Sequence, residues 1–298
     1  MEVFRRQAAA CPPYAEYLSL IECDPTAVDS PEKIPYLPIG LFKTRDVYCG
    51  SQPPEIVFTS STTGGEQPAR HMMQSVADYE RVFTAAFEQF YGPAAGLAIF
   101  ALLPGYLERK GSSLVYMADK LIRASGRGGF FLHDHAGLLA AMAACPGPKI
   151  LLGVSYALWD LAEKHPGPLH DTIIMETGGM KGNREELPRE QFHKILCDAF
   201  GVDAIHSEYG MAELTSQAYS SGGGVFRAPA WMRVSARDLN DPFAPAAAGG
   251  INIADLANLT SCAFIQTSDR GTVFADGSFT IAGRIAGSDI RGCNLLVQ

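Results

Sequence analysis

The sequence predicts an α/β fold, a parallel sheet flanked by helices, followed by a smaller β-rich lobe. Three observations predict it. Between about Glu55 and Tyr219, short apolar runs alternate with segments of helical spacing. Polar, glycine-bearing loops follow three of those runs, at Thr59–Gly65, Thr177-Gly178-Gly179 and Tyr209-Gly210-Met211-Ala212-Glu213. After Ser220 the helical signal fades, and short strand-like runs lie between Gly, Pro and Asp turns.

Taken in order, residues 1–50 read as a helical arm and a connector punctuated by Pro31, Pro35 and Pro38. Residues 51–220 form the α/β region. Its first strand is Ile56-Val57-Phe58, and the apolar run Leu97–Leu103 is a second, ended by Pro104-Gly105. Leu114, Met117 and Leu121 give Ser112–Ala124 helical spacing, with Gly126 as its stop. Gly129–Leu132, Ile150–Leu152 and Ile173–Met175 are strand-like, with helical runs at Leu138–Ala144 and Ala157–Lys164 between them. Pro188 at a first helical position and Gly201 as a stop frame another helix, and Ala204–His206 begins the next strand. Residues 221–298 form the β-rich lobe and a C-terminal tail, with strands at Trp231–Val234, Phe264–Thr267, Thr272–Phe274 and Phe279–Ile281. No internal repeat is visible.

Composition excludes several function classes. The chain has 298 residues and 47% apolar residues, enough for a sizeable core. A net charge of −8 argues against a nucleic-acid binder, which normally presents a basic surface. No apolar run is long enough for a membrane-spanning helix, and the N-terminus lacks the apolar stretch of a signal peptide. Seven scattered cysteines with no CxxC pair suggest reduced thiols and a cytoplasmic protein.

The densest chemical signal is Phe58-Thr59-Ser60-Ser61-Thr62-Thr63-Gly64-Gly65. Five consecutive hydroxyl residues followed by two glycines suit a loop that wraps phosphate oxygens with hydroxyl and backbone donors. In a parallel sheet, ligands sit beyond the C-terminal ends of the strands, where this loop and the two other glycine-bearing loops are expected to converge.

The order of this loop, the aromatic-Gly-x-x-Glu element at Tyr209–Glu213, Ser268-Asp269 and Gly283-Arg284 resembles the adenylate-forming (acyl-AMP ligase) superfamily. The longer strings Glu176-Thr-Gly-Gly-Met-Lys-Gly182, His206-Ser-Glu-Tyr-Gly-Met211 and Ser288-Asp-Ile-Arg-Gly-Cys-Asn294 resemble its acyl-protein synthetase (LuxE-like) family. The resemblance implies the N-terminal-domain fold of adenylate-forming enzymes, ATP and Mg²⁺ as cofactors, and activation of a fatty or aryl acid as acyl-AMP. It also implies transfer of the acyl group to a protein thiol as a thioester.

By that resemblance Thr59, Ser60, Thr62, Thr63 and Gly64 meet the ATP phosphates, and Glu213 helps hold Mg²⁺. Tyr209 lies along the adenine with Gly210 beside it, and Gly178 and Gly179 line the adenine and acyl region. Asp269 accepts hydrogen bonds from the ribose hydroxyls, and Arg284 contacts ribose or phosphate. Cys293, near the C-terminus, is the implied acyl-carrying thiol. A reductase cysteine and the phosphopantetheine of an acyl carrier protein are the other acceptors left open, which makes an acyl reductase or a carrier protein the expected partner.

Two departures stand out. Ser61 occupies a position where the family's loop usually has glycine, and the basic residue expected after it falls on Arg70 or His71. The chain also ends just after Gly283–Asn294, which in most such enzymes leads into a C-terminal domain bearing a catalytic lysine. The expectation is therefore a fold lacking that domain. Lys181, Arg109 or Arg291 would supply the charge beside Arg284, or a partner would complete the site, or catalysis would be slow.

Competing readings exist. Gly153-Val154-Ser155-Tyr156-Ala157 resembles the nucleophile elbow of an α/β-hydrolase-like serine esterase, with His206 as the better-placed base and His193 inside a helix. His133-Asp134-His135 has metal-ligand character without a supporting cluster. A non-catalytic adenylating-fold scaffold for a reductase or carrier protein is the third class.

Overall fold

The computed structural model describes residues 1–61, 67–103, 111–178 and 187–285. The chain opens with helices α1 (Glu2–Ala10) and α2 (Pro12–Leu20), the latter started by two prolines whose missing N–H groups cost nothing at a helix N-terminus. Strand β1 (Leu37–Pro38) and the short helix α3 (Leu41–Thr44) follow. Strands β2 (Ile56–Thr59) and β3 (Arg70–Met73) pair antiparallel as a separate ribbon, in register Phe58↔His71 and Thr59↔Arg70. The strand expected at Ile56-Val57-Phe58 is therefore present but outside the main sheet.

Helix α4 (Val76–Tyr91) comes next, its first turn capped by the Ser75 hydroxyl accepting from Asp78 N at 3.2 Å. Strand β4 (Ala98–Leu102), helix α5 (Ser113–Ser125), strand β5 (Gly128–Phe130), helix α6 (His135–Ala144) and strand β6 (Lys149–Val154) then alternate. Helix α7 (Ser155–Lys164), strand β7 (Thr172–Thr177), helix α8 (Arg189–Phe200) and strand β8 (His206–Tyr209) continue the alternation. Gly126 and Gly201 both end their helices at φ +64°, a left-handed conformation that glycine adopts without a Cβ penalty. The main sheet runs β5-β4-β6-β7-β8, all parallel, and is closed by the antiparallel strand β9 (Ala218–Ser220). Strands β4 and β6 are buried at every position, as expected of central parallel strands covered by helices.

The second sheet contains β10 (Val225–Phe226), β11 (Met232–Arg237), β12 (Pro245–Ala246), β13 (Ala248–Asp255), β14 (Phe264–Val273) and β15 (Phe279–Arg284). Its order is β10-β15-β14-β13-β11-β12, and β1 adds to β14 in parallel. The two short strands expected at Phe264–Thr267 and Thr272–Phe274 are one continuous strand. The Asp269-Arg270-Gly271 segment between them is absorbed by a register shift at Arg270/Gly271 rather than by a turn.

Two cores follow from this arrangement. One lies between the parallel sheet and its helices, with Phe100, Leu151, Leu158 and Phe192 at its centre. The other joins the β-rich lobe to the N-terminal arm: Phe4 and Tyr14 pack with Phe264, Ile253 and Phe279. The arm thus shares a core with the lobe more than 200 residues away in sequence. Gln7 ties the two further, its Nε2 donating to Asn258 O at 2.8 Å and its Oε1 accepting from Ala263 N at 2.9 Å.

Candidate functional site

The ends of β2, β7 and β8, the start of α5 and the pairing of β14 with β15 meet around one cleft of about 930 Å³, solvent at its mouth included. Thr59, Ser60, Gly178, Gly210, Glu213, Asp269 and Arg284 all line it. The loop after β2 begins at the cleft, with Thr59, Ser60 and Ser61 in the lining, although β2 is not part of the parallel sheet. Its stem is closed by Ser60 N donating to Ala69 O at 3.0 Å and Ala69 N donating to Ser60 Oγ at 2.9 Å. Thr59 N donates to Gly111 O at 2.8 Å, which brings the start of α5 alongside. Ser112 and Ser113 then present that helix's N-terminus to the cleft, where the helix dipole favours anionic groups.

Backbone requirements explain the glycines. Gly178 has φ +73°, and its carbonyl lies 2.8 Å from Ser155 Oγ. A Cβ at Gly210 would fall 2.3 Å from Glu208 Oε1, so no larger residue fits without moving that carboxylate. Asp269 and Arg284 are register partners across β14 and β15 and face the cleft together.

Glu213 is fully buried at the cleft wall. The loop that carries it is held from three directions. His71 Nδ1 lies 2.8 Å from Ala212 O, and Asn258 Nδ2 donates to Glu213 O at 3.1 Å. Asp255 accepts from Thr215 N and Ser216 N, each at 2.9 Å. Burial dominates at His71 and lowers its pKa, against its hydrogen bonds to Asn258 and Ala212 and the charges of Glu213 and Asp255. Burial likewise raises the Asp255 pKa, opposed by its hydrogen bonds from Ser216, Thr215 and Ala257.

Tyr209 is not among the residues lining this cleft. Its ring is buried against the stacked pair Phe226 and Phe279, and its hydroxyl donates to Asp269 Oδ2 at 2.8 Å. Strand alternation is the reason: residues 208 and 209 point to opposite faces, so Glu208 meets the cleft and Tyr209 the lobe core. Its hydroxyl bond to Asp269 links it to the cleft. Of the two basic residues considered after the loop, Arg70 pairs with exposed Asp46 at 3.1 Å and His71 is committed to Ala212 and Asn258. Thr62, Thr63, Gly64, Gly179, Lys181, Arg109, Arg291 and Cys293 lie outside the described residues.

Two residues that the motif reading passed over line the same cleft. Glu208 sits inside the His-Ser-Glu-Tyr-Gly string, and Gln217 just before β9. Burial, the largest influence, pushes the Glu208 carboxyl up to about 7, with Thr177 opposing and Glu176 reinforcing. The period of two along β8 was the available signal for Glu208. Gln217 had none, because its place depends on how β9 folds back.

The esterase geometry does not form. Ser155 is fully buried, 3.2 Å from Glu176 Oε2, while His193 Nε2 lies 3.6 Å from Glu176 Oε1. The acid stands between serine and histidine, where a nucleophilic triad needs the histidine in the middle. His206 is hydrogen-bonded to Tyr91 instead, at 3.2 Å. The His133-Asp134-His135 string builds no metal site among the described residues: Asp134 caps α6 through Gly137 N at 2.8 Å, and His135 packs edge-on against His165. Also among the described residues, no helix is long and apolar enough to cross a membrane.

No protein-family model matches the sequence, and no curated protein matches it. Solved structures do. An open conformation of 2-hydroxyisobutyryl-CoA ligase, in complex with 2-HIB-AMP and CoA, superposes with a TM-score of 0.73 at 14% identity, covering 98% of this chain and 74% of that one. ATP-bound MatB from Rhodopseudomonas palustris gives 0.59 at 15% identity, over 80% of this chain and 49% of that one. MenE, the O-succinylbenzoate coenzyme A synthetase from Bacillus subtilis, in complex with ATP and magnesium, gives 0.55 at 15%, over 78% and 51%. The chain spans about half the length of the MatB and MenE structures. At these identities the likeness is one of fold, and the fold is that of the N-terminal domain of adenylate-forming enzymes.

Proposed function

We propose that this protein activates a carboxylic acid with ATP and Mg²⁺, forming an acyl-AMP and pyrophosphate, and passes the acyl group to a thiol. The observation that carries the proposal is the meeting, in one cleft, of Thr59, Ser60 and Ser61 at the end of β2 with Glu213, Asp269 and Arg284. Structures of the same fold hold ATP, ATP with magnesium, or an acyl-AMP.

The residues present fit such a ligand. Thr59, Ser60, Ser61 and Ser112 offer hydroxyl donors, and the α5 N-terminus offers a positive dipole end to phosphate oxygens. Asp269 is a carboxylate of the kind that recognises a ribose diol. Its position is fixed from one side by the Tyr209 hydroxyl and by Asp269 N donating to Thr267 Oγ1 at 3.1 Å. Arg284, its strand neighbour, brings a permanent cation to the same wall. Glu213 would hold Mg²⁺ with phosphate oxygens and water, and the ion would offset phosphate charge as pyrophosphate leaves. The chain's own contribution is to orient the acid's carboxylate toward the α-phosphorus and to keep water from the mixed anhydride.

In the finer reading the protein is of the acyl-protein synthetase type, taking a fatty or aryl acid in the cytoplasm. The six cysteines among the described residues are all free, which suits a reducing compartment. The acyl acceptor is Cys293, a cysteine of a reductase or the phosphopantetheine of a carrier protein. Lys181, Arg109 and Arg291 are the cations proposed to assist.

The test is acid-dependent exchange of labelled pyrophosphate into ATP. Exchange supports the ligase, whereas nucleotide binding without exchange supports a scaffold. Mass spectrometry after incubation with ATP, Mg²⁺ and acid should show an acyl adduct that Cys293→Ser abolishes. A stable adduct on the Ser variant removes Cys293 from the mechanism.

A further inference from the structure

The cleft has a second, chemically distinct wall. Tyr79 from α4, Leu114 and Met117 from α5, and Met211 give it an apolar surface. Two polar side chains interrupt that surface, and both present acceptors. Glu208 is 9% exposed and Gln217 is 4% exposed. Glu208 Oε2 accepts from Thr177 Oγ1 at 2.5 Å, and among the described residues no lysine or arginine pairs with the carboxylate. Gln217 Oε1 is buried and has no hydrogen-bond partner among the described residues. The two lie together: a Cβ placed on Gly210 would be 2.3 Å from Glu208 Oε1 and 3.3 Å from Gln217 Cγ.

Two hydroxyls of this lining are already committed: that of Thr177 to Glu208, and that of Tyr79 to Ser113 O at 3.2 Å, with the Gln217 amide also bonded to the Tyr79 oxygen. Among the described residues the buried carboxylate has one side-chain donor and the buried amide oxygen none, which is costly in an apolar wall. Such groups are kept where a ligand supplies what the protein lacks.

We propose that the acid taken by this cleft carries a hydrogen-bond donor on its acyl part, an amine or a hydroxyl, that meets Glu208 and Gln217. This rests on the acid-activating reading above and narrows its substrate class. A plain hydrocarbon chain would leave both acceptors buried against methylene groups, whereas a donor-bearing chain satisfies them and leaves its apolar portion against Tyr79, Leu114 and Met117. The Glu208 carboxyl, at about 7, is present in both protonation states near neutrality, so an ammonium is matched by its ionised form and a hydroxyl by either form.

The experiment compares matched acids in pyrophosphate exchange: hexanoic, 6-hydroxyhexanoic and 6-aminohexanoic acids, and benzoic, 4-hydroxybenzoic and 4-aminobenzoic acids. In one of these series the hydroxy or amino member should exceed its unsubstituted parent at least tenfold, roughly, in kcat/KM, as expected where buried acceptors are left unpaired by the wrong ligand. Calorimetric titration of the same acids in the presence of AMP should show the same order in affinity. Gln217→Leu and Glu208→Gln should each shrink the preference to about threefold or less by rebalancing the wall. If one variant fails to fold, the other decides. Equal or better use of the unsubstituted acids, or a preference that survives both substitutions, overturns the proposal. Absence of exchange with every acid, with ATP still bound, overturns the ligase reading itself and this inference with it.

Discussion

Glu208 and Glu213 lie five positions apart on one strand-and-loop segment, yet their surroundings give them different chemistry. Burial raises Glu208 from its ordinary 4.5 to about 7, so the folded protein binds that proton more tightly than the unfolded chain. Its contribution to stability is therefore complete below about pH 4.5 and is lost as pH rises through about 7. Among the described residues, Thr177, Glu176, Gln217, Tyr79, Tyr91 and Tyr219 are polar or titratable groups near it, and none of these is a cation. Glu208→Gln should accordingly melt higher than the native protein at about pH 8, with the two curves converging below about pH 4.5. A Tm difference that stays constant with pH contradicts the assigned environment. For Glu213 the expected effect is on metal dependence. Removing Mg²⁺ should weaken ATP binding to the native protein, and Glu213→Gln should bind ATP more weakly while losing most of that Mg²⁺ dependence, as measured by titration with and without a chelator. At this scale the sequence made the residue types legible but not their directions. Strand alternation alone separates Glu208 from Tyr209, whereas the seat of Tyr209 against Phe226 and Phe279 depends on contacts with β10 and β15 that no local motif encodes.

The elements most legible in the sequence are those with chemical punctuation. Gly126 and Gly201 end α5 and α8 as expected, and β4, β6 and β7 are apolar runs of the length a buried parallel strand requires. The pattern reading names no element between Arg70 and Ala94, although Tyr79, Phe83, Ala86 and Phe87 form the buried stripe of α4 at helical spacing. Polar residues between them, and the two-strand ribbon before them, obscure the pattern. Phe83→Ala should cost about 3–5 kcal/mol in denaturant unfolding, because the ring is buried against Tyr79. The turn after β13 was equally hidden. With the end of β13 it delivers Asp255 and Asn258 to the loop bearing Glu213, and nothing in Asp255-Leu-Ala-Asn-Leu-Thr260 marks that task. Asn258→Ala frees Glu213 O, Cys262 O and His71 Nε2 together and should destabilise by roughly 2–3 kcal/mol. The same variant should depress exchange activity more than Phe83→Ala does at equal fraction folded, since it loosens the loop that carries Glu213.

At the scale of the molecule, the cleft belongs to neither sheet alone. The parallel sheet supplies Gly178, Glu208 and Gly210, the β-rich lobe supplies Asp269 and Arg284, and the β2–β3 ribbon adds Thr59 and Ser60. The N-terminal arm has no residue among these polar groups, but Gln7 fastens it to the Asn258 turn that steadies Glu213. The parallel sheet and the approach of Gly178 and Gly210 at its strand ends were readable because alternation of strand and helix leaves few topologies, whereas Thr59 and Ser60 join them from an antiparallel ribbon outside that sheet. The merger of arm and lobe into one core was not, because it depends on contacts such as Phe4 with Phe264 across the whole chain. What the cleft does is tested most directly by acid-driven exchange of pyrophosphate into ATP. The expected result is exchange that requires both Mg²⁺ and a carboxylic acid and falls by about a hundredfold or more in Glu213→Gln. Nucleotide binding with no exchange on any acid, or ester hydrolysis that proceeds without ATP, would contradict it.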